Sequence, residues 1–116
     1  MIGLEWYVHA EAGFSEIEWD DGAGGTGFAV VSGYHTFRNW LAEIETALQA
    51  DGVDYEVAYS EATNRVVFTK NSGANYGLTF QTASMAKLLG AASASAFATP
   101  ASSHIGTLAP GGLVPV

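Results

Sequence analysis

The sequence has no cysteine and few basic residues, and each shortage narrows the functions it can support. Without cysteine the chain forms no disulfide and offers no thiolate to a metal. Only 4 lysines and arginines face 12 acidic residues, so the net charge of the 116 residues is −8. Such a chain repels phosphate backbones unless a basic patch forms, and its cations are too scattered to predict one. We therefore expect no nucleic-acid partner.

Long hydrophobic runs are also missing. The longest weakly polar stretch, Gly90 to Ala98, is far shorter than the ~20 residues that cross a bilayer. Met1 to Glu11 has neither the positive segment nor the apolar run of a secretory signal. We expect no membrane partner and synthesis in the cytoplasm of the producing cell.

One amphipathic helix is the clearest element that the sequence contains. Apolar side chains recur at the spacing i, i+3, i+4, i+7 and i+11, which is the stripe of a helix that packs on one face. Thr36 is a suitable N-cap, and Asp51-Gly52 is a suitable stop. The stripe, which we expect to be buried, consists of Phe37, Trp40, Leu41, Ile44 and Leu48.

Alternating and β-branched segments around this helix predict strands, so the fold class is α+β. We expect antiparallel sheets, the main helix and a second short helix that Ser84 caps and Gly90 ends. The first two strands are predicted to form a hairpin through Glu11 to Gly13, and another hairpin turns at Glu61 to Asn64. The predicted strands are Leu4–His9, Phe14–Trp19, Phe28–Ser32 (closed by Gly33), Tyr55–Tyr59, Arg65–Phe68 and Tyr76–Gln81.

The order of three strands and a helix occurs twice, over residues 1–50 and 51–92. This order predicts a βββα pseudo-repeat within an α+β domain of residues 1–92. Residues 93–116 are predicted to form an extended, uncharged C-terminal arm, because Ala91 to Val116 contains no charged residue and its three prolines oppose helix and central strand. The alternative is that this segment wraps its own domain. As an assembly interface the arm would use Phe97, Ile105, Leu108, Leu113, Val114 and Val116.

No pattern of catalytic or cofactor-binding residues stands out. Gly22 to Gly27 has the glycine spacing of a dinucleotide fingerprint, but acids precede it and a strand follows it, so we interpret it as an inter-strand loop. The three histidines lack metal-ligand spacing and are not beside a serine or carboxylate in a catalytic pattern. We predict no catalytic residue, no cofactor and no metal, with His9, His35 and His104 as ordinary surface or buried histidines.

Two groups of residues leave a binding module open as an alternative. The acidic cluster Glu16, Glu18, Asp20 and Asp21 could offer oxygen ligands to calcium, although it lacks the usual loop spacing. Trp6 and Trp19 could stack on a sugar, whereas Trp40 belongs to the helix stripe. The alternative function is therefore a small glycan- or calcium-binding module.

Gly33-Tyr34-His35-Thr36 leads into the helix, a strand pair surrounds Thr63-Asn64, and the strand Gly77 to Phe80 and the segment Ser84 to Gly90 follow. In these motifs the segment from Phe28 to Ala92 resembles a module of virion structural proteins of tailed bacteriophages, which some large DNA viruses share. Family members often end in Leu-Gly-Phe, whereas this chain has Leu89-Gly90-Ala91. The resemblance implies a structural role in a particle and no catalytic residues.

These observations together favour a non-enzymatic structural subunit of a bacteriophage virion, in the tail, baseplate, neck or capsid-decoration layer. Its expected partners are other virion proteins and copies of itself, in a homo-oligomer or larger assembly. Its expected location is the virion, after synthesis in the host cytoplasm.

Overall fold

The computed structural model describes residues 7–10 and 16–110 and has the predicted α+β fold, with two helices and nine strands in that part of the chain. The strands form sheets of two, four and three members, and all described pairs are antiparallel. The elements are β1 (Tyr7–Ala10), β2 (Glu16–Asp20), β3 (Thr26–Val30), β4 (Gly33–Thr36), α1 (Phe37–Ala50), β5 (Tyr55–Ser60), β6 (Arg65–Lys70), β7 (Tyr76–Phe80), α2 (Ala83–Leu88), β8 (Phe97–Ala101) and β9 (Ser103–Ile105).

Helix α1 confirms the prediction made from its apolar stripe. Thr36 is the N-cap, and its side chain accepts a hydrogen bond from the Asn39 amide at 3.3 Å. After the C-cap Asp51, Gly52 takes a positive φ of 84°, a conformation that glycine adopts without strain. The five stripe residues are the buried residues of the helix, so this element carries much of the core: Phe37, Trp40, Leu41, Ile44 and Leu48.

The predicted hairpin between the first two strands is wrong. β1 pairs with β4, whereas β2 lies between β3 and β7 in the four-stranded sheet β3-β2-β7-β8. The hairpin partner of β2 is β3, joined to it by the glycine-rich loop that was predicted correctly. Gly33 does not close a strand but begins β4 with a φ of 97°. The predicted turn at Glu11 to Gly13 lies outside the described residues.

The three-stranded sheet β5-β6-β9 contains the second hairpin, whose predicted turn at Glu61 to Asn64 is confirmed. Its side chains alternate: the row Val57, Phe68 and His104 is buried, and the row Glu56, Thr69 and Ser103 is exposed. One face of this sheet therefore belongs to the core and the other faces solvent.

The pseudo-repeat is present in the order of elements but not in their pairing. Apart from β4, strands β1 to β3 and α1 match β5 to β7 and α2 in sequence order. The first strand of the second set pairs with its own second strand, but β1 pairs with the additional strand β4. The β7 strand pairs with β2 of the first set, so the two halves share one sheet.

Helix α2 begins earlier than predicted. Its N-cap is Thr82 and not Ser84, because the Thr82 side chain accepts the hydrogen bond of the Met85 amide at 3.1 Å. Gly90 follows the C-cap with a φ of 77°, as its predicted role at the helix end requires. No helix in the described ranges is long and apolar enough to cross a membrane.

Much of the segment predicted as an arm is built into the chain's own sheets. β8 pairs with β7, and β9 pairs with β6. Pro100 is accommodated because β8 is an edge strand, where a missing amide hydrogen can face away from the ladder. β8 passes so close to β7 that a Cβ on Gly77 would meet the Ala98 carbonyl oxygen at 2.0 Å. Over residues 97–105 the chain is extended, as predicted, but it contacts its own domain.

Candidate functional site

The acidic cluster on β2 and the following loop is organised by local hydrogen bonds. Asp20 Oδ1 accepts from the Gly22 amide at 2.7 Å. Asp21 Oδ1 accepts from the amides of Ala23 and Gly25 at 2.8 and 2.9 Å. These carboxylates hold the β2–β3 turn together, a common role for aspartate in turns. Among residues 7–10 and 16–110, no group of three or more His, Cys, Asp or Glu could hold a metal ion.

The two described histidine rings both bond to backbone carbonyl groups. His35 Nε2 lies 2.6 Å from the Ser32 carbonyl oxygen, and His104 Nε2 lies 2.7 Å from that of Tyr76. Because a carbonyl oxygen only accepts, each ring carries its proton on Nε2. Burial lowers the pKa of His104 below its ordinary 6.5, partly offset by the hydrogen bond to Tyr76. Burial therefore favours the neutral form of His104.

Tyr55 and His104 form a buried polar cluster that joins two sheets. The Tyr55 hydroxyl accepts from the Tyr76 amide at 2.8 Å and donates to the Ala101 carbonyl. The pairing of β7 with β8 is irregular between Tyr76 and Leu78. The side chains of Tyr55 and His104 therefore form hydrogen bonds with backbone groups beside this irregularity. Burial raises the pKa of the Tyr55 hydroxyl and keeps it protonated as a donor. With these polar atoms bonded to backbone groups, the cluster has a structural role.

Trp19 and Trp40 do not form an open sugar platform. Trp40 is fully buried in the core. The Trp19 ring lies so close to Gly27 that a Cβ there would be 2.5 Å from the ring, and its Nε1 donates to Asp51 at 2.9 Å. One face of Trp19 is thus occupied by the chain's own backbone, and Trp6 lies outside the described residues.

A groove of about 370 Å³ runs between α1 and the edge strand β5. Along it, Glu45 Oε1 accepts from the Val57 amide at 2.8 Å, and Gln49 Nε2 donates to the Tyr55 carbonyl at 3.4 Å. Arg38 lies over the Tyr59 ring at 5.6 Å and pairs with Glu61 at 2.9 Å. The helix side chains therefore cover part of the β5 edge.

The four-stranded and three-stranded sheets have four outer edges, and three of them carry a feature that discourages pairing. Helix side chains cover β5, β8 contains Pro100, and β9 has only three residues. β3 has five residues with neither charge nor proline. Within the described residues it is the one of these four edges that lacks such a feature, and it is the unprotected edge in that sense.

β3 also presents two large apolar side chains to solvent. Phe28 and Val30 are 53% and 52% exposed, on the face where β2 carries Glu18 and Glu16 opposite them. Ala29 points to the other face and is buried. One face of β3 therefore belongs to the core and the other face is exposed. We call Thr26 to Val30, with this exposed face, the β3 edge.

The residues predicted as an assembly interface are distributed differently. Phe97 is 5% exposed and packs against Phe68 and Phe80 in the chain's own core, so its predicted contact with a neighbouring chain is replaced by an intramolecular one. Ile105 and Leu108 are 55% and 51% exposed and remain candidates for contact. The other three predicted interface residues, Leu113, Val114 and Val116, lie outside the described residues.

The β3 edge was missed at the sequence level, although one signal for it exists. Residues 22–37 contain no charged side chain, in a chain with a net charge of −8. The strand itself was predicted, but its edge position depends on which strands pair, and that is a long-range property. An uncharged strand within an uncharged segment is a pattern that indicates a contact surface.

Comparisons with protein-family models, with curated proteins and with solved structures find no match to this chain.

Proposed function

We propose that this chain is a non-enzymatic structural subunit of a tailed-bacteriophage virion, in the tail, baseplate, neck or capsid-decoration layer, and that it acts through assembly contacts. The observation that carries the proposal is the unprotected β3 edge with its half-exposed Phe28 and Val30. Exposed apolar side chains on an uncovered strand are typical of protein–protein contacts.

A second exposed apolar pair supports the same function. Ile105 lies on β9, and Leu108 follows shortly after it, so the β9 side of the molecule offers a separate contact. Two separate contact regions suit a subunit that must bind two neighbours in a particle. The segment from Phe28 to Ala92 resembles virion modules, and this resemblance implies that the contacts are made with other proteins of a virion.

The test is the location of the protein in cells that produce particles. Particles purified on a density gradient should contain the protein as a stoichiometric component by quantitative mass spectrometry, and immunogold labelling should decorate one part of them. Ile105→Lys should lower its incorporation, whereas Thr46→Lys, at an exposed position of α1, should incorporate like the parent.

Recovery of the protein only from the soluble fraction would contradict the proposal. A saturable calorimetric signal with calcium or with a glycan panel, together with that result, would favour the binding-module alternative.

A further inference from the structure

On the free side of the β3 edge, three residues have backbone groups with no partner among the described residues. The Gln81 amide bonds to the Glu16 carbonyl, so the even-numbered residues of β2 bond towards β7 and the odd-numbered ones towards β3. By the alternation of an antiparallel ladder, Ala29 and Gly27 bond to β2. The N–H and C=O groups of Thr26, Phe28 and Val30 therefore point away from the sheet.

The geometry points to a second copy of this chain as the occupant of this edge, with β3 pairing antiparallel to β3 across a twofold axis at Phe28. In this register Phe28 faces its own equivalent, and Thr26 faces Val30 of the other copy. The three pairs supply about six backbone hydrogen bonds. The apolar side chains of both copies then lie on one face, and the two sheets become continuous.

Charge favours a second copy over a cationic partner. Two chains of charge −8 can approach closely only through a surface without acids, and residues 22–37 supply an uncharged segment around β3. Glu16 and Glu18 lie one strand away from the edge. Across the twofold axis the two β2 strands are about 14 Å apart, three strand spacings, and physiological salt screens charges beyond ~8 Å.

This inference rests on the proposed assembly function for its purpose, and its geometry is tested in solution. Sedimentation equilibrium of the full chain should show a reversible monomer–dimer equilibrium. Phe28→Lys should weaken the dimer at least about tenfold, because like charges would face each other across the axis. The monomer should still fold, because each ammonium could pair with Glu18 of its own copy. Thr99→Lys adds the same charge to the opposite edge of the sheet and should leave the dimer unchanged.

A second variant tests the backbone bonds. Val30→Pro removes an amide hydrogen that has no partner within the described residues, so it should weaken the dimer while the thermal melt of the monomer persists. Crosslinking tests the register, since the chain has no cysteine of its own. Phe28→Cys should form an intermolecular disulfide on mild oxidation, because directly paired Cα atoms lie about 5.5 Å apart. Thr99→Cys should not.

Three results would overturn the inference: a strict monomer at millimolar concentration, equal weakening by Phe28→Lys and Thr99→Lys, or no crosslink through Phe28→Cys. If the parent chain is monomeric and Phe28→Lys abolishes its binding to particles, the β3 edge binds a cationic protein partner and not a second copy. A different result would contradict the proposed function: a chain that dimerises through β3 but is missing from particles.

Discussion

At the scale of single residues, the core depends most on Trp40. It is fully buried on the α1 stripe, beside Phe37 with ring centroids 6.4 Å apart. Trp40→Ala should lower the free energy of unfolding by about 3–5 kcal/mol, because it leaves a cavity that the surrounding side chains only partly fill. Chemical denaturation measures this. Glu43→Ala, on the exposed side of the same helix, should change stability by less than ~0.5 kcal/mol. Equal stability of the two variants would contradict the position of α1 in the core.

His104 gives the molecule a pH dependence of known sign. Its folded pKa is below the ordinary 6.5, so the unfolded chain binds a proton more readily than the folded chain. The stability due to neutral His104 is present in full above pH 6.5 and is lost as the pH falls from there towards the folded pKa. Thermal melts at a series of pH values should therefore show decreasing melting temperature below pH 6.5.

The control for this effect is a ring that does not titrate. His104→Phe should lower stability at neutral pH, because the bond to the Tyr76 carbonyl is lost, but should flatten the pH dependence just below 6.5. Asp54 contributes at lower pH only, since hydrogen bonds from Ser72 and Asn71 lower the pKa of its carboxyl below 3.8. An unchanged profile in His104→Phe would assign the effect to other groups.

At the scale of elements, the β5 edge depends on one side chain of α1. The Glu45 carboxylate accepts from the Val57 amide, which would otherwise face the groove unpaired. Glu45→Ala should cost about 1–3 kcal/mol, the range for the loss of a hydrogen bond to a charged acceptor, and should accelerate hydrogen exchange at the Val57 amide. Glu45→Gln retains an oxygen acceptor and should keep most of the stability. If Glu45→Gln is as damaging as Glu45→Ala, the acceptor is not what Glu45 contributes.

The elements were more predictable from the sequence than their pairing. The period of α1 is contained in its own residues, and the caps Thr36 and Gly52 mark its ends locally. The partner of β2 could not be obtained in this way, because the turns before and after β2 are equally suited to a hairpin. Pairing is decided by the burial of Ile17 and Ala29 against distant residues such as Phe80.

The candidate surface was predicted less well than the fold, and for a related reason. Ile105 and Leu108 were identified from their lack of charged neighbours, but Phe97 shares that property and is in the core. Whether an apolar side chain is buried depends on what the tertiary fold places over it. The β3 edge likewise depends on the pairing, because β3 has β2 on one side and no described strand on the other.

At the scale of the whole molecule, the C-terminal residues divide into a part that belongs to the fold and a part whose role is open to test. β8 and β9 complete the two larger sheets, and Phe97 and His104 stack with ring centroids 5.1 Å apart. Deletion of residues 99–116 removes β9 and most of β8. We expect the remaining chain to lose its cooperative melt in circular dichroism, because the Tyr76 backbone and the core face of β6 lose their cover.

Deletion of residues 111–116 alone is the matched comparison. It retains all described strands, so the shortened chain should melt cooperatively within a few degrees of the parent. Leu113, Val114 and Val116 keep their predicted role as assembly contacts, and this deletion isolates them from the core residue Phe97. If the shorter deletion folds but is missing from purified particles, the assembly role of these three residues is supported. If it folds and is incorporated like the parent, the contacts lie elsewhere, at the β3 edge or at Ile105 and Leu108. If it fails to fold, these residues serve their own domain, and the assembly role predicted for them is wrong.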